Sequence, residues 1–186
     1  MTIANSVTGA WVNSDTLRVK FPTEEVKKST GGEYRNTTSQ HISEFDVDYT
    51  QAALGTSATV VYILDYETVI PNTAVVEKIE FITGTAWATD TSISFGTVRR
   101  SDFTTIIDAD GLVDALILAA RDLAGETTVI LPGGTYAGAQ MGVQGINADY
   151  DCLVSVCFES GSAPTAGTGQ LKIYWTNAPV SVNAGV

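Results

Sequence analysis

Residues 42–49, ISEFDVDY, alternate without a break: Ile42, Glu44, Asp46 and Asp48 point one way, Ser43, Phe45, Val47 and Tyr49 the other. A period of two marks a strand with one face in a core and one in water. The same period recurs along the chain. Thr73 to Thr83 sets Val75, Ile79 and Phe81 on one face, and Thr91 to Val98 sets Ile93 and Phe95 against Ser92 and Ser94. From Gln170 to Thr176, Leu171, Ile173 and Trp175 oppose Lys172 and Tyr174. Residues 58–66, ATVVYILDY, are richer in β-branched and aromatic side chains and predict a strand buried on both faces. Thr127 to Leu131 and Tyr150 to Glu159 add two more strands. Turn chemistry separates them at 82–90 (ITGTAWATD), 131–134 (LPGG) and 160–169 (SGSAPTAGTG).

One segment departs from this period. Residues 110–123, DGLVDALILAARDL, place Leu112, Leu116, Ala119 and Leu123 along one stripe and predict a short helix. Asp108 or Asp110 would cap its start and Gly125 would end it. The expected fold is all-β: an antiparallel jelly-roll-like β-sandwich with one short helix and an extended N-terminal arm.

The chain has 186 residues, which suits one domain. Charge divides it near residue 36. Residues 1–36 carry five basic and four acidic side chains, and residues 37–186 carry five basic and seventeen acidic ones. The polar run STGGEYRNTTSQ (29–40) lies across that boundary. The expected organisation is an arm and flexible connector over 1–36, with one short strand around Trp11 to Phe21, and a β-sandwich over 37–186.

Composition narrows the function. With a net charge of −11 and a pI near 4.3, the surface lacks the clustered Lys and Arg that neutralise phosphate, so no nucleic-acid partner is expected. No apolar run reaches the length of a membrane span, so no membrane partner is expected either. Met1 to Ala10 has neither a basic n-region nor an apolar h-region, so no secretory signal is expected. Cys152 and Cys157 are five apart, on opposite faces if the segment is a strand and roughly 16 Å from each other. They cannot bridge, and free buried thiols suit a reducing cytoplasm.

Candidate chemistry is sparse. Asp108-Ala-Asp110-Gly111 matches the opening of a calcium loop, but the later carboxylate ligands are missing, and capping is the simpler reading. Asp46 with Asp48, or Asp65 with Glu67, could form a hydrolase pair, although alternating acids on a strand usually make a solvated face. His41 is the single histidine, and no GxSxG elbow is present. Neither an enzyme nor a bound cofactor or metal is expected. Arg99 and Arg100 at a strand end could hold a partner's carboxylate. Trp175 reads as core. Trp87, at a loop tip, is either tucked beneath the loop or a contact. Trp11 lies in an arm with few apolar neighbours and reads as an anchor on another chain.

The stretch Ile70 to Leu116 resembles virion proteins of tailed bacteriophages. The resemblance lies in the Pro71-to-Val76 strand start, in TSISFGT (91–97) and in DADGL (108–112). Thr165-Ala166-Gly167 ahead of Gln170 to Tyr174 resembles the closing strand of many such sandwiches. It covers about half the chain and transfers no catalytic residue. It implies a capsid decoration (cement) protein on the outside of a phage head, assembled in the host cytoplasm, that binds the major capsid protein and forms dimers or trimers. The contacts expected are Trp11, Val12, Leu17, Val19 and Phe21 in the arm, and Trp87, Arg99 and Arg100 on loops. The alternatives are a tail, neck or head-fibre component, or a carbohydrate-binding sandwich with an aromatic platform around Trp87 or Tyr136.

Overall fold

In the computed structural model, residues 40–87, 91–143, 150–159 and 163–177 are described in full, with the backbones of strands at 4–5, 11–13, 18–20 and 31–35. Two five-stranded antiparallel sheets face each other. The first contains β4 (Gly31–Arg35), β5 (Gln40–Asp48), β8 (Ala74–Thr85), β11 (Thr127–Ile130) and β13 (Thr168–Asn177), in the order β11-β8-β13-β5-β4. The second contains β6 (Tyr62–Ile63), β7 (Val69–Ile70), β9 (Ser92–Arg99), β10 (Ile106–Ile117) and β12 (Cys152–Glu159). Its order is β10-β9-β12-β6, with β7 also on β12. If β4 is set aside and β6 and β7 count as one broken strand, eight strands fall into two sheets of four whose connections cross between layers. That is the double Greek key of a jelly roll.

The core forms where the inner faces meet. Phe45 and Val47 of β5, Ile79 and Phe81 of β8, and Leu171, Ile173 and Trp175 of β13 pack against Ile93 and Phe95 of β9 and Val154, Val156 and Phe158 of β12. Phe81 lies at the centre of an aromatic group, with its ring 5.9 Å from Phe95 and 6.3 Å from Trp87. Trp87 continues to Phe158 at 6.1 Å. The buried indole of Trp175 donates to Ser43 Oγ at 3.0 Å.

The outer faces differ. That of the first sheet is polar: Lys172 pairs with Glu44 at 2.8 Å, and Lys78 pairs with Glu80 at 2.9 Å while lying over the Tyr174 ring. A solvated face of this kind is usual for an antiparallel sheet. The outer face of the second sheet is apolar, with Ile63, Val98 and Leu153 buried beneath Val61, Val69 and Ile106. Part of that face is covered by β10 itself. After Asp108 pairs with Thr97, β10 leaves the ladder and returns at Val113 opposite Phe95, so five steps on one strand match two on the other. The excursion passes over Gly96 and brings the Ala109 carbonyl to 3.9 Å from Cys157 Sγ. Residues 136–142 hold it in place: Tyr136, Gly138 and Gln140 bond to Asp114, Leu112 and Gly111, and Gly142 N–H donates to Val76 of the opposite sheet.

The helix expected over 110–123 is a strand followed by a 3-10 turn at Leu118–Ala120. The bulges explain the misreading. They bury Ala109, Leu112, Val113 and Leu116 on an otherwise two-period strand, spacings of three, one and three residues that imitate a helical stripe. The cap assignments for Asp108 and Asp110 fall with the helix. A bulge in β8 at the Tyr174–Trp175 step likewise flips the face, so Val76 is buried with Ile79 in place of Val75.

Residues 58–66 are not one doubly buried strand. Ser57 and Val60 close a turn on each other, only Tyr62–Ile63 pairs, and Asp65 opens a second turn. In the N-terminal region, the single strand expected around Trp11 is a hairpin, β2 (Trp11–Asn13) with β3 (Arg18–Lys20), extended by β1 (Ala4–Asn5). Within the expected connector, β4 pairs along β5 from Gly31↔Phe45 to Arg35↔His41. Cys152 and Cys157 are both free and buried, on opposite faces as expected, and burial pushes each thiol up to about 12.

Candidate functional site

Two aromatic side chains stand out from the apolar outer face of the second sheet. Each follows a turn-forming aspartate: Asp65-Tyr66-Glu67-Thr68 and Asp102-Phe103-Thr104-Thr105 share the pattern Asp, aromatic, any residue, Thr. The aspartate accepts from backbone N–H groups two and three residues on. These are Glu67 at 3.0 Å and Thr68 at 3.2 Å in the first turn, and Thr104 at 3.0 Å and Thr105 at 2.9 Å in the second. The Thr hydroxyl closes each turn by donating to the same carboxylate. Bonds from Thr105 and Thr104 hold the Asp102 carboxyl down to about 2. Such a turn fixes its second residue and leaves that side chain outside.

Tyr66 is accordingly 57% exposed and Phe103 47% exposed, with ring centroids 5.6 Å apart. Phe103 sits at φ 59°, a left-handed conformation that costs a bulky L-residue about 1–2 kcal/mol. Its N–H donates to Arg99 O at 3.0 Å, which locks it there. Val60, 49% exposed, completes the patch. The three flank a groove of about 270 Å³ floored by Ile63 and Val98.

Arg99 and Arg100 lie on the strand end that leads into the Phe103 turn. The Arg99 guanidinium stacks 3.6 Å over Tyr150 and lies 3.7 Å from Asp102. Arg100 is exposed and bonds through its backbone N–H to Asp151 O. Trp87 is 4% exposed and belongs to the core; of its two expected placements the tucked one is found, and it offers no surface to a partner. In the small sheet, Val12 stands in register with Val19, and Trp11 with Lys20. Leu17 and Phe21 lie outside the described residues. The sequence reading missed Val60, Tyr66 and Phe103 because it placed two of them in a buried strand. The repeated Asp-aromatic-x-Thr pattern was the available signal.

The acidic groups have structural roles. Asp48 accepts from Thr50 N–H at 2.7 Å and caps a 3-10 turn at Tyr49–Ala53. Asp46 and Asp48 line one groove of about 650 Å³, but they stand on one strand rather than across a bond from each other, as paired-acid hydrolysis requires. Asp108 is half-buried where β10 leaves its ladder, and its carboxyl is raised to about 6 by burial, by a side-chain hydrogen bond with Asp110 and by the charges of Asp110 and Asp114. A proton therefore binds Asp108 more tightly in the folded chain than in the unfolded one. This contribution to stability is full below about pH 4 and declines as pH rises through about 6. Replacing Asp108 by Asn is expected to remove that decline, measured as the difference in urea midpoint between these two pH values. An unchanged slope would mean the carboxyl is not strained by folding.

No protein-family model matches this chain, and no curated protein matches it in sequence. Two solved structures are similar in fold. A chain of the Cyanophage Pam1 capsid asymmetric unit is 12% identical, covers 90% of this chain and 98% of its own length, and superposes with a TM-score of 0.46. A chain of the capsid of Ralstonia phage GP4 is 16% identical, with coverages of 78% and 89% and a TM-score of 0.47.

Proposed function

We propose that this chain is a non-enzymatic structural virion protein, a decoration or cement protein that binds the outer surface of a phage head and links neighbouring subunits of the major capsid protein. The virion part of this reading rests on the resemblance of Ile70 to Leu116 and of the closing strand. The linking part rests on one structural observation. The jelly roll closes a core of its own, whereas β1, β2 and β3 form a separate sheet whose strands, of two and three residues, pair only with one another among the described residues. A sheet that small is far below what holds together alone in water. Docking on another chain supplies the missing second layer, and an arm reaching a neighbour adds contact area and avidity that the compact body cannot reach. The acidic body repels packaged DNA, which favours the outer surface over the inner one.

The test compares the full chain with one lacking residues 1–22, which keeps β4 on the sheet edge. Both are co-sedimented with purified heads that lack decoration. The full chain is expected to bind saturably and to raise the heat resistance of the heads. The shortened chain, with an unchanged melting temperature, is expected to bind at least about tenfold more weakly. Absence of saturable binding by the full chain would overturn the decoration role and bring glycan binding and ring assembly forward.

A further inference from the structure

We infer that the groove of about 650 Å³ between the end of β5 and the start of β13 is a binding site for a neutral sugar. Its apolar lining comes from both sheets: Val47 of β5 and Ile82 of β8 from the first, Leu64 just past β6 from the second. Its polar lining divides into groups that the fold uses and groups that it does not. Asp48 caps the 3-10 turn, and Gln51 accepts from Asp48 N–H at 3.2 Å and donates to Asp46 O at 3.4 Å. The Thr168 hydroxyl bonds to that of Thr85 at 3.0 Å. By contrast, the Asp46 carboxylate, the Gln170 amide and the Tyr62 hydroxyl make no hydrogen bond or ion pair among the described residues. Asp46 and Gln170 are register partners on adjacent strands, so an acceptor stands beside a group that both donates and accepts. Two residues along the same ladder the polar side chains are all taken. Glu44 pairs with Lys172, and Glu80, the register partner of Lys172 on β8, holds Lys78 and Tyr174. That pairing stops at the row where the groove begins.

The chemistry of the lining selects the ligand. No Lys or Arg lines the groove, so an anionic ligand would meet Asp46 and Asp48 and no cation. A hard metal ion takes six or more oxygen ligands, and no group of three or more carboxylate, His or Cys ligands converges among the described residues. A Lys or Arg side chain of another protein would engage Asp46 and leave the Gln170 amide and the Tyr62 hydroxyl idle. A sugar ring uses all three. Its adjacent hydroxyls donate to the carboxylate and exchange hydrogen bonds with the amide and the phenol, while its C–H face lies on the apolar lining. The volume falls within the range of about 300–1,000 Å³ usual for small-ligand sites. Sugar binding here does not depend on a virion role, and purified chain without heads tests it.

The full chain is titrated with glucose, galactose, mannose, N-acetylglucosamine and their linear oligomers, followed by amide NMR. At least one is expected to bind saturably and to shift the signals of residues 46–48 and 168–170. Its affinity should be indifferent to added salt and to a metal chelator, because the ligand is neutral and no ion bridges it. Asp46→Ala and Gln170→Ala are each expected to weaken binding about tenfold. Tyr62→Phe, which keeps the ring and removes the hydroxyl, should weaken it severalfold. The melting temperature should hold in all three, since none of the deleted groups bonds within the chain. A chain that binds no sugar of the panel overturns the inference. So does binding that all three variants leave intact. If a lysine-rich peptide binds instead, is released by salt and is not displaced by any sugar, the groove takes a cationic segment and the sugar assignment is wrong.

Discussion

Replacing Phe81 by Ala is expected to destabilise the sandwich by about 3–5 kcal/mol, the largest loss for any single truncation of a core side chain here. Phe81 has no exposed surface and, with Phe45 and Phe95, is one of three phenylalanines fully buried among the described residues. Its ring touches Phe95 across the sandwich and Trp87 at the end of its own strand, and Trp87 in turn reaches Phe158. It also fills the space above Gly169, where an added Cβ would lie 2.6 Å from the ring. Truncation thus opens a void bordered by both sheets. The backbone around it is fixed by ladder hydrogen bonds on each side, since β8 pairs with both β11 and β13. A site so held cannot collapse to fill the gap, which places the cost at the upper end of the range. Thermal unfolding should shift down by roughly 10 °C for a chain of this size. The urea midpoint should fall while the slope stays the same, because the surface exposed on unfolding hardly changes. A loss below about 1 kcal/mol would mean that the core is not organised around this ring.

The parts of the fold legible in the sequence are those where pleat and period stay in step. β5, β9 and β13 hold their register over eight to ten residues, and their inward sets, Phe45 with Val47, Ile93 with Phe95, and Leu171 with Ile173 and Trp175, follow directly from alternation. Where a bulge adds a residue, the period shifts and the inference fails. In β10 the bulges spread the buried positions to helical spacing, and in β8 one bulge exchanged Val75 for Val76. No local property of those residues announces a bulge. It is imposed by long-range pairing, through residues such as Gly138 and Gln140 that hold β10 from the far side. The exposed patch was hidden for a different reason. Val60, Tyr66 and Phe103 are residues that ordinarily signal burial, and only the aspartate before each aromatic marks it as the outward position of a turn. Arg99 and Arg100 are visible in the sequence because a basic pair is conspicuous in so acidic a chain. Their setting, one stacked on Tyr150 and the other exposed, depends on residues fifty positions away.

Gly96 is the position where the least conspicuous residue should give the second large effect. It lies in the middle of β9, paired with Ser155 of β12, where most strand-forming residues would satisfy local propensity. The excursion of β10 crosses directly above it. A Cβ at Gly96 would fall 2.0 Å from the Asp108 carbonyl oxygen and 2.3 Å from the Ala109 carbonyl carbon, both backbone atoms. No rotamer change relieves such a contact; either β9 bows or residues 108–110 lift off the sheet. Lifting them opens the cover over Cys157 and strains the hairpin at residues 99–105 that presents Phe103. Gly96→Val is therefore expected to cost at least about 3 kcal/mol, or to prevent folding, and Gly96→Ala somewhat less. Gly125→Ala supplies the contrast. Gly125 has a left-handed φ of 84° with nothing within 4 Å of an added Cβ, so Ala there should cost only about 1 kcal/mol, all of it conformational. Urea melts on the three variants decide the matter. Equal losses at Gly96 and Gly125 would mean that β10 does not press on β9, whereas a loss confined to Gly96, with Cys157 becoming reactive to thiol reagents in the surviving Ala variant, would locate the strain in the excursion of β10.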